Sequence, residues 1–279
     1  MSHAAPTHAR GRSIVARAAA AFAVLLVVAG CSTDDAESDD PSERTSRAAV
    51  EAAPEVGSCR DLDADAVAQP SNDSASIDCA EQHTAETIAV EAFPALFDDA
   101  AYDDARLGEH VFPVCSKAFQ KHLRADDSAV MRTVLSWAWF RPDEQAWDDG
   151  ARWFRCDLIG GNDALTDYLP LPEKTKKLLE GRPPDEWMVC ADGKSMSSTK
   201  VVCSQPHTWR AVTTIKVGEE KDPYPGDRIV EVTSRDYCSD SVGAWLGYPD
   251  SYDFGYTYFK QSEWDVGVRR SVCWARTHQ

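Results

Sequence analysis

Eight cysteines in two sets of four, with repeated residues around them, constrain this chain most. They are Cys59, Cys79, Cys115 and Cys156, followed by Cys190, Cys203, Cys238 and Cys273. The segment CAEQHT (79–84) matches CSQPHT (203–208), and WDDGARWFRC (147–156) aligns without a gap to WDVGVRRSVC (264–273). An even number of cysteines at repeated spacings predicts disulfides and an internal repeat.

The same repeat predicts the secondary structure of each copy. Residues 87–90 and 212–217 are rich in β-forming side chains and predict a strand after each His-Thr pair. The third cysteine of each set opens a helical pattern with apolar residues four apart, namely Cys115, Phe119 and Leu123, then Cys238, Val242 and Leu246.

Alternating aromatic residues then predict a further strand in each copy, and a turn leads into the strand with the fourth cysteine. These residues are Leu135, Trp137 and Trp139, then Phe254, Tyr256 and Tyr258. The predicted fold class is α+β, with two tandem small disulfide-stabilised domains, each roughly β-α-β-β with an antiparallel hairpin. We place them at residues 57–160 and 187–279, joined by a linker over 161–186 with a short helix at 173–180.

Four cysteines in one domain allow three pairings, and sequence alone does not choose among them. We favour first with second and third with fourth. This pairing closes a short loop around the His-Thr segment and ties the helix to the final strand. Since small domains have limited cores, such cross-links are a sufficient reason for the cysteines.

The N-terminus has the layout of an export signal. Residues 1–30 contain three arginines, no acidic residue and then a thirteen-residue apolar run, too short to span a bilayer. The run ends Val-Ala-Gly before Cys31, which resembles the lipobox of bacterial lipoproteins. We therefore expect Cys31 to carry a lipid anchor at the extracytoplasmic face of the cell membrane. An ordinary signal peptide with Cys31 as a bystander is the alternative.

Composition limits the partners. Residues 31–56 are acidic and poor in large apolar side chains, so we expect a disordered tether. The chain has a formal net charge of −17, which argues against binding nucleic acid.

The sequence offers few residues for chemistry. His83 and His207 repeat in register, but each is expected to hydrogen-bond nearby backbone, and the spacing lacks a compact metal-ligand set. We predict no metal, no cofactor and no catalytic residue, since no known catalytic motif is present. Trp147 and Trp264 also recur, which favours core packing over binding. Trp153 and Trp209 have no tryptophan counterpart and are the better candidates for surface anchors.

The spaced pattern of Cys-x-x-x-His-Thr, a later cysteine in a helix, and Trp-x-x-Gly-x-Arg before a last cysteine resembles the septum formation domain of actinobacterial lipoproteins and membrane proteins. The resemblance implies a role in septum or cell-envelope processes and supplies no catalytic residues. Glu86 stands at a position that is commonly acidic in that family, whereas the second copy has Arg210.

These observations favour a tethered binding or scaffold protein that recognises an unknown envelope protein or wall component. The alternative is a hydrolase or transferase acting on wall material, with its site between the two copies. A purely structural or sensory domain for a membrane partner is a third possibility.

The lipid anchor is directly testable. Cys31→Ser should abolish the diacylglycerol modification and move the protein from the detergent phase to the aqueous phase in Triton X-114 partitioning. Intact mass spectrometry of the native protein checks the modification itself. An unmodified Cys31 in the wild-type chain would contradict the lipoprotein interpretation.

Overall fold

A computed structural model describes residues 53–162, 165, 167–265 and 267–277. The predicted signal segment, Cys31 and most of the tether lie outside the described residues. The described part has a mixed α+β fold with two antiparallel sheets, as the sequence predicts. Within this part, no helix combines the length and apolar character needed to cross a membrane.

The first half, residues 57–160, contains a four-stranded sheet in the order β1-β2-β4-β3. Its strands are β1 (Cys59–Arg60), β2 (Ala85–Ala92), β3 (Ser136–Phe140) and β4 (Trp153–Ile159). Its helices are α1 (Ala64–Val67), α2 (Ala105–Leu123), α3 (Asp127–Val130) and α4 (Glu144–Asp148). A single 3-10 turn lies at Ala95–Phe97.

The second half, residues 187–277, contains a five-stranded sheet in the order β6-β5-β7-β9-β8. Its strands are β5 (Val189–Asp192), β6 (Thr199–Val202), β7 (Trp209–Lys216), β8 (Phe254–Thr257) and β9 (Arg270–Arg276). Its helices are α5 (Asp227–Trp245) and α6 (Gln261–Asp265), and a 3-10 turn at Asp185–Trp187 precedes the half.

The two sheets share one register. β2 pairs with β4 as β7 pairs with β9, and both pairs have a bulge at the same place, between Thr87 and Ala89 and between Ala211 and Thr213. Strand β1 pairs with β2 as β5 pairs with β7, and β6 is an additional edge strand in the second half. The predicted β-α-β-β order therefore corresponds to β2-α2-β3-β4 and β7-α5-β8-β9.

Four disulfides stabilise the halves with the favoured pairing of first with second and third with fourth. They are Cys59–Cys79, Cys115–Cys156, Cys190–Cys203 and Cys238–Cys273. The second and fourth bridges each tie the long helix of a half to its last strand. They fasten the helical layer to the sheet.

The prediction that each third cysteine opens a helix is wrong. Helix α2 begins ten residues earlier, where the Asp104 side chain accepts a hydrogen bond from the Arg106 amide, and Cys115 lies near its middle. Leu107 and Val111 continue the buried stripe upstream at four-residue spacing. Cys238 is likewise internal to α5.

Three other local predictions need correction. The segments expected to be plain turns between the last two strands contain α4 and α6. Leu135 and Tyr258 lie just outside β3 and β8. Residues 173–180 form turns instead of a helix, since Lys177 has a φ of 69°, which is incompatible with a right-handed helix.

One cluster of buried apolar side chains joins the two sheets. From the first half it takes the end of α2 and neighbouring strands, with Phe119, Leu135 and Leu158. From the second half it takes the sheet face opposite α5, with Trp209 and Trp274. The predicted location of an alternative catalytic site, between the two copies, is therefore filled with apolar side chains.

Residues 161–186 are hydrogen-bonded to the first half. The amides of Leu171 and Leu179 donate to the carbonyls of His83 and Leu123, at 2.7 and 3.1 Å. Both leucine side chains join the shared apolar cluster.

The exposure of the bridges predicts their order of reduction. Cys79 is half-buried, whereas the other seven bridged cysteines are buried. Because thiol attack requires access to a sulfur atom, Cys59–Cys79 should be reduced first by a mild reductant under native conditions. Alkylation followed by peptide mass spectrometry measures the order. Earlier labelling of Cys115 or Cys273 would contradict the buried packing of those bridges.

Candidate functional site

The two His-Thr motifs lie at the entrance to β2 and β7. His83 Nδ1 donates to the carbonyl of Glu81 at 2.8 Å, and His207 Nδ1 donates to the carbonyl of Gln205 at the same distance. Both rings are buried, and Nε2 of each has no hydrogen-bond partner among the described residues. This shared geometry shows the two histidines holding the chain as it turns into a strand.

The two Trp-x-x-Gly-x-Arg motifs also share one geometry. The guanidinium carbon of Arg152 lies 4.1 Å from the ring centroid of Trp147, and that of Arg269 lies 3.6 Å from Trp264. Each arginine Nη1 donates to the carbonyl of its own tryptophan at 2.5 Å. The glycine of each motif has a φ of 99° or 98°, a conformation that favours glycine. The motif therefore builds the tight turn before the last strand.

The four repeated candidate residues lie in separate parts of the fold. They are His83, His207, Trp147 and Trp264. Trp147 packs with Phe93 and Phe154, whereas Trp264 packs with Val230 and Phe259. Among residues 53–277 as described, no group of three or more His, Cys, Asp or Glu side chains is placed to hold a metal ion. The repeated residues are buried parts of the scaffold.

A different set of residues forms a charged network on the face of the first sheet opposite α2. Arg155 Nε donates to Oδ2 of Asp157 at 3.0 Å, and Thr87 Oγ1 donates to Oδ1 of the same carboxylate at 2.8 Å. Arg60 Nη1 donates to the hydroxyl of Thr87 at 2.9 Å. All four side chains are buried, and Arg155 and Asp157 have exposures of only 1% and 0%. Two arginines and one carboxylate are thus held inside the fold.

Burial opposes the charged state of this network. It raises the pKa of Asp157, against which the neighbouring charge of Arg155 and the hydrogen bond from Thr87 act. Burial also lowers the pKa of Arg155, although its ion pair with Asp157 offsets part of this effect. Such buried pairs contribute little net stability compared with apolar packing.

The equivalent positions of the second sheet are all apolar. By the shared register, Arg60, Thr87, Arg155 and Asp157 correspond to Ala191, Ala211, Val272 and Trp274. These four apolar residues belong to the cluster that packs against the first half. One sheet face is thus closed by the other half, while its counterpart carries buried charges.

A cavity of about 480 Å³ opens beside the charged network. Arg60, Arg141 and Arg155 line it, together with Asn72 and the half-buried Trp153. Asn72 holds Arg155 in place, since its side-chain and backbone oxygens accept hydrogen bonds at 3.2 and 3.3 Å. We call this space the arginine cavity.

Arg141 is the unusual member of the arginine cavity. Its guanidinium carbon lies 4.2 Å from the ring centroid of Tyr102 and 5.4 Å from that of Trp139. The side chain is 9% exposed, and its Nε has no hydrogen-bond partner among the described residues. The described part of the chain also gives Arg141 no acidic partner within salt-bridge distance. Neither ring lines the cavity, so Arg141 borders the cavity while its guanidinium packs on aromatic rings of the α2 side.

Sequence reasoning missed the three arginines because it searched for residues that recur in both halves. The signal was present in the difference between the halves. In the aligned final segments, Arg155 stands at the position that Val272 occupies in the other half. Of the two tryptophans proposed as surface anchors, Trp153 lines the cavity. Trp209 is buried in the shared cluster, which corrects that proposal.

The difference at Glu86 and Arg210 has a structural consequence. The hydroxyl of Thr175 donates to the Glu86 carboxylate, and Nε2 of His122 lies 2.7 Å from that hydroxyl. Arg210 Nη2 donates to the Asp185 carboxylate at 2.5 Å. Each residue attaches its own half to the segment between the halves.

Comparison with protein families finds one match, a family described as Septum formation, over residues 56–273. The chain has no significant match among curated proteins or solved structures.

The energetics of the charged network can be tested by a double-mutant cycle. Asp157→Leu should reduce the free energy of unfolding by about 3–5 kcal/mol, because it leaves Arg155 buried without its anion. Combining it with Arg155→Met should recover part of that loss, since the pair is then apolar as in the second half. Denaturant unfolding of both single variants and the double variant gives the coupling. Strictly additive losses would contradict a coupled ion pair.

Proposed function

Because the chain belongs to the septum formation family, we propose that it is an extracytoplasmic binding module of the cell envelope that captures an acidic group in its arginine cavity. The observation that carries this proposal is the cavity itself, in which the buried Arg60 has no acidic side chain within salt-bridge distance among the described residues. The family match supports a role in septum or envelope processes.

Electrostatics favours an acidic ligand despite the acidity of the chain. Arg60 and Arg141 line the cavity with Arg155, and only Arg155 is paired with a buried carboxylate. In a site of reduced dielectric constant, an entering anion gains more from a guanidinium than it would in water. Hydrogen bonds to the Ser74 carbonyl and to the Thr87 hydroxyl keep the planar donors of Arg60 in one orientation, which lowers the entropic cost of binding.

We propose the same cellular location as the sequence predicts. A lipid on Cys31 would anchor the protein at the outer face of the cell membrane, as in the actinobacterial lipoproteins that the sequence resembles. Residues 31–56 would then let the folded part reach away from the membrane. The binding partner would be a wall component or an envelope protein.

We further propose that residues 57–160 and 187–279 are two copies of one unit with different tasks. The shared register and the matched bulges support duplication. The copy with the arginine cavity would bind the ligand, and the other would cover and support it. The alternative of a wall hydrolase or transferase with a site between the copies finds less support, since apolar side chains fill that junction.

Retention on wall fragments tests the proposed function. The full-length chain in detergent should bind immobilised soluble fragments from muramidase-digested cell wall, and Arg60→Gln should weaken binding at least about tenfold. Arg235→Gln is the matched control, because Arg235 is an exposed arginine on α5 that pairs with Asp236 outside the cavity. Biolayer interferometry measures the affinities.

A second variant separates loss of binding from loss of folding. Ala146 lines the cavity and is half-buried on α4, so Ala146→Phe should fill the space and leave every arginine in place. Circular dichroism melts would check that both variants are folded. Equal retention of wild type, Arg60→Gln and Ala146→Phe would overturn the proposed binding site.

A further inference from the structure

Trp153 is a tryptophan without a packing partner among the described residues. It lies on β4, where side chains alternate between the two faces of the sheet, so it shares the face of Arg155 and Asp157. Its ring joins none of the apolar clusters and makes no stacking or cation-π contact within the described part of the chain. The half-buried indole instead lines the arginine cavity, where it can stack on a flat apolar face of a ligand.

The cavity also holds one arginine nitrogen with capacity for an anion. Arg60 donates from Nε to the carbonyl of Ser74 and from Nη1 to the hydroxyl of Thr87. Nη2 of Arg60 donates to no other described residue and is in contact with solvent. The network holds the two guanidinium groups of Arg60 and Arg155 for the single carboxylate of Asp157, which leaves an excess of positive charge. One carboxylate of a ligand can therefore pair with Nη2 of Arg60.

The walls of the cavity combine polar and apolar groups. The hydroxyls of Ser71 and Ser74 and Nδ2 of Asn72 donate to no other described residue. Asp143 Oδ1 accepts a hydrogen bond from the Ala146 amide, and Oδ2 is left as an acceptor. The apolar part of the wall consists of Pro54, Pro142, Ala146 and Ala151. Sugars present the same combination, because their hydroxyls donate and accept hydrogen bonds while the C–H faces of their rings are apolar.

The anion-binding nitrogen and the aromatic ring are separated along the sheet. Arg60 is hydrogen-bonded to Thr87, and Thr87 to Asp157, which lies four residues from Trp153 on β4. Four residues of a strand span roughly 13 Å. A carboxylate at Arg60 and a ring at Trp153 therefore belong to different units of one ligand. A cavity of about 480 Å³ lies in the range of sites for a ligand of that size.

We propose that the arginine cavity binds a short oligosaccharide that carries one carboxylate. The carboxylate pairs with Nη2 of Arg60, a neighbouring sugar ring stacks on Trp153, and the hydroxyls between them bond with Asn72 and Asp143. Asp73 and Asp143 line the cavity and repel a second negative charge, so a sugar phosphate binds less well. This inference rests on the proposed function, because it assigns a ligand class to the same cavity.

Four probes test the ligand class on the full-length chain in detergent by isothermal titration calorimetry. The disaccharide N-acetylglucosaminyl-N-acetylmuramic acid should bind. Chitobiose, which has the same two sugar rings but no carboxylate, should bind at least about tenfold more weakly, because it cannot pair with a guanidinium as an anion. N-acetyl-alanyl-alanine, a carboxylate without a sugar, and glucose 6-phosphate, a dianionic sugar, should each bind more weakly than the acidic disaccharide.

Variants of Trp153 test the stacking position. Trp153→Ala should weaken binding of the acidic disaccharide about tenfold, and Trp153→Phe should retain part of the affinity because it keeps an aromatic ring. Trp245→Ala is the matched control, since Trp245 is an exposed tryptophan at the end of α5, outside the cavity. The disaccharide should change the tryptophan fluorescence of the wild type and of Trp245→Ala, but not that of Trp153→Ala. A merely structural role of Trp153 would not produce this difference.

The outcomes distinguish this inference from the proposed function. Equal binding of the acidic disaccharide and chitobiose, or tighter binding of N-acetyl-alanyl-alanine or glucose 6-phosphate, would overturn the carboxylated oligosaccharide. Unchanged affinity and fluorescence response in Trp153→Ala would overturn it as well. Absence of disaccharide binding, with wall fragments still retained through Arg60, would overturn it and leave the binding module standing. Loss of both would overturn the proposed function too.

Discussion

The packing of one face of the second sheet against the first half determines which of the two equivalent sheet faces can carry buried charges. That face carries Ala191, Ala211, Val272 and Trp274, and all four join the apolar cluster between the halves. Since burial of apolar area is the main stabilising term in such a contact, these positions have little room for charge. The equivalent face of the first sheet is free of this constraint. It therefore accommodates the buried arginines and the cavity beside them.

Burial of the charged network costs hydration free energy in the first half. Asp157 and Arg155 lose nearly all of their hydration, and a similar backbone in the second half shows that Val272 and Trp274 can occupy the same register. Buried ion pairs generally add little stability beyond apolar replacements. What the network does add is geometry, because Asp157 and Asn72 together fix the guanidinium of Arg155 along the cavity wall.

Much of the scaffold follows from the sequence, and its successes and failures have physical causes. The strands after each His-Thr motif are local features, so their β-forming residues were sufficient to predict them. The cysteine pairing was a choice among three possibilities, and the structure has the favoured one. The start of α2 was misplaced because Cys115 was taken as the first residue of a stripe that already contains Leu107 and Val111. The α4 helix escaped notice because five residues are too few to show a period.

The candidate site escaped prediction for a different reason. Arg60 is distant in sequence from Arg141 and Arg155, and it meets them only because β1 and β4 flank β2 while Arg141 follows β3. Pairing of strands across the sheet is a long-range property that a local pattern does not reveal. The recurring residues His83, His207, Trp147 and Trp264 proved to be scaffold, buried in matched geometry in both halves. When two halves share a backbone, recurrence identifies what the fold requires. Departures, such as Arg155 at the position that Val272 occupies in the other half, identify where the two halves differ beyond that requirement.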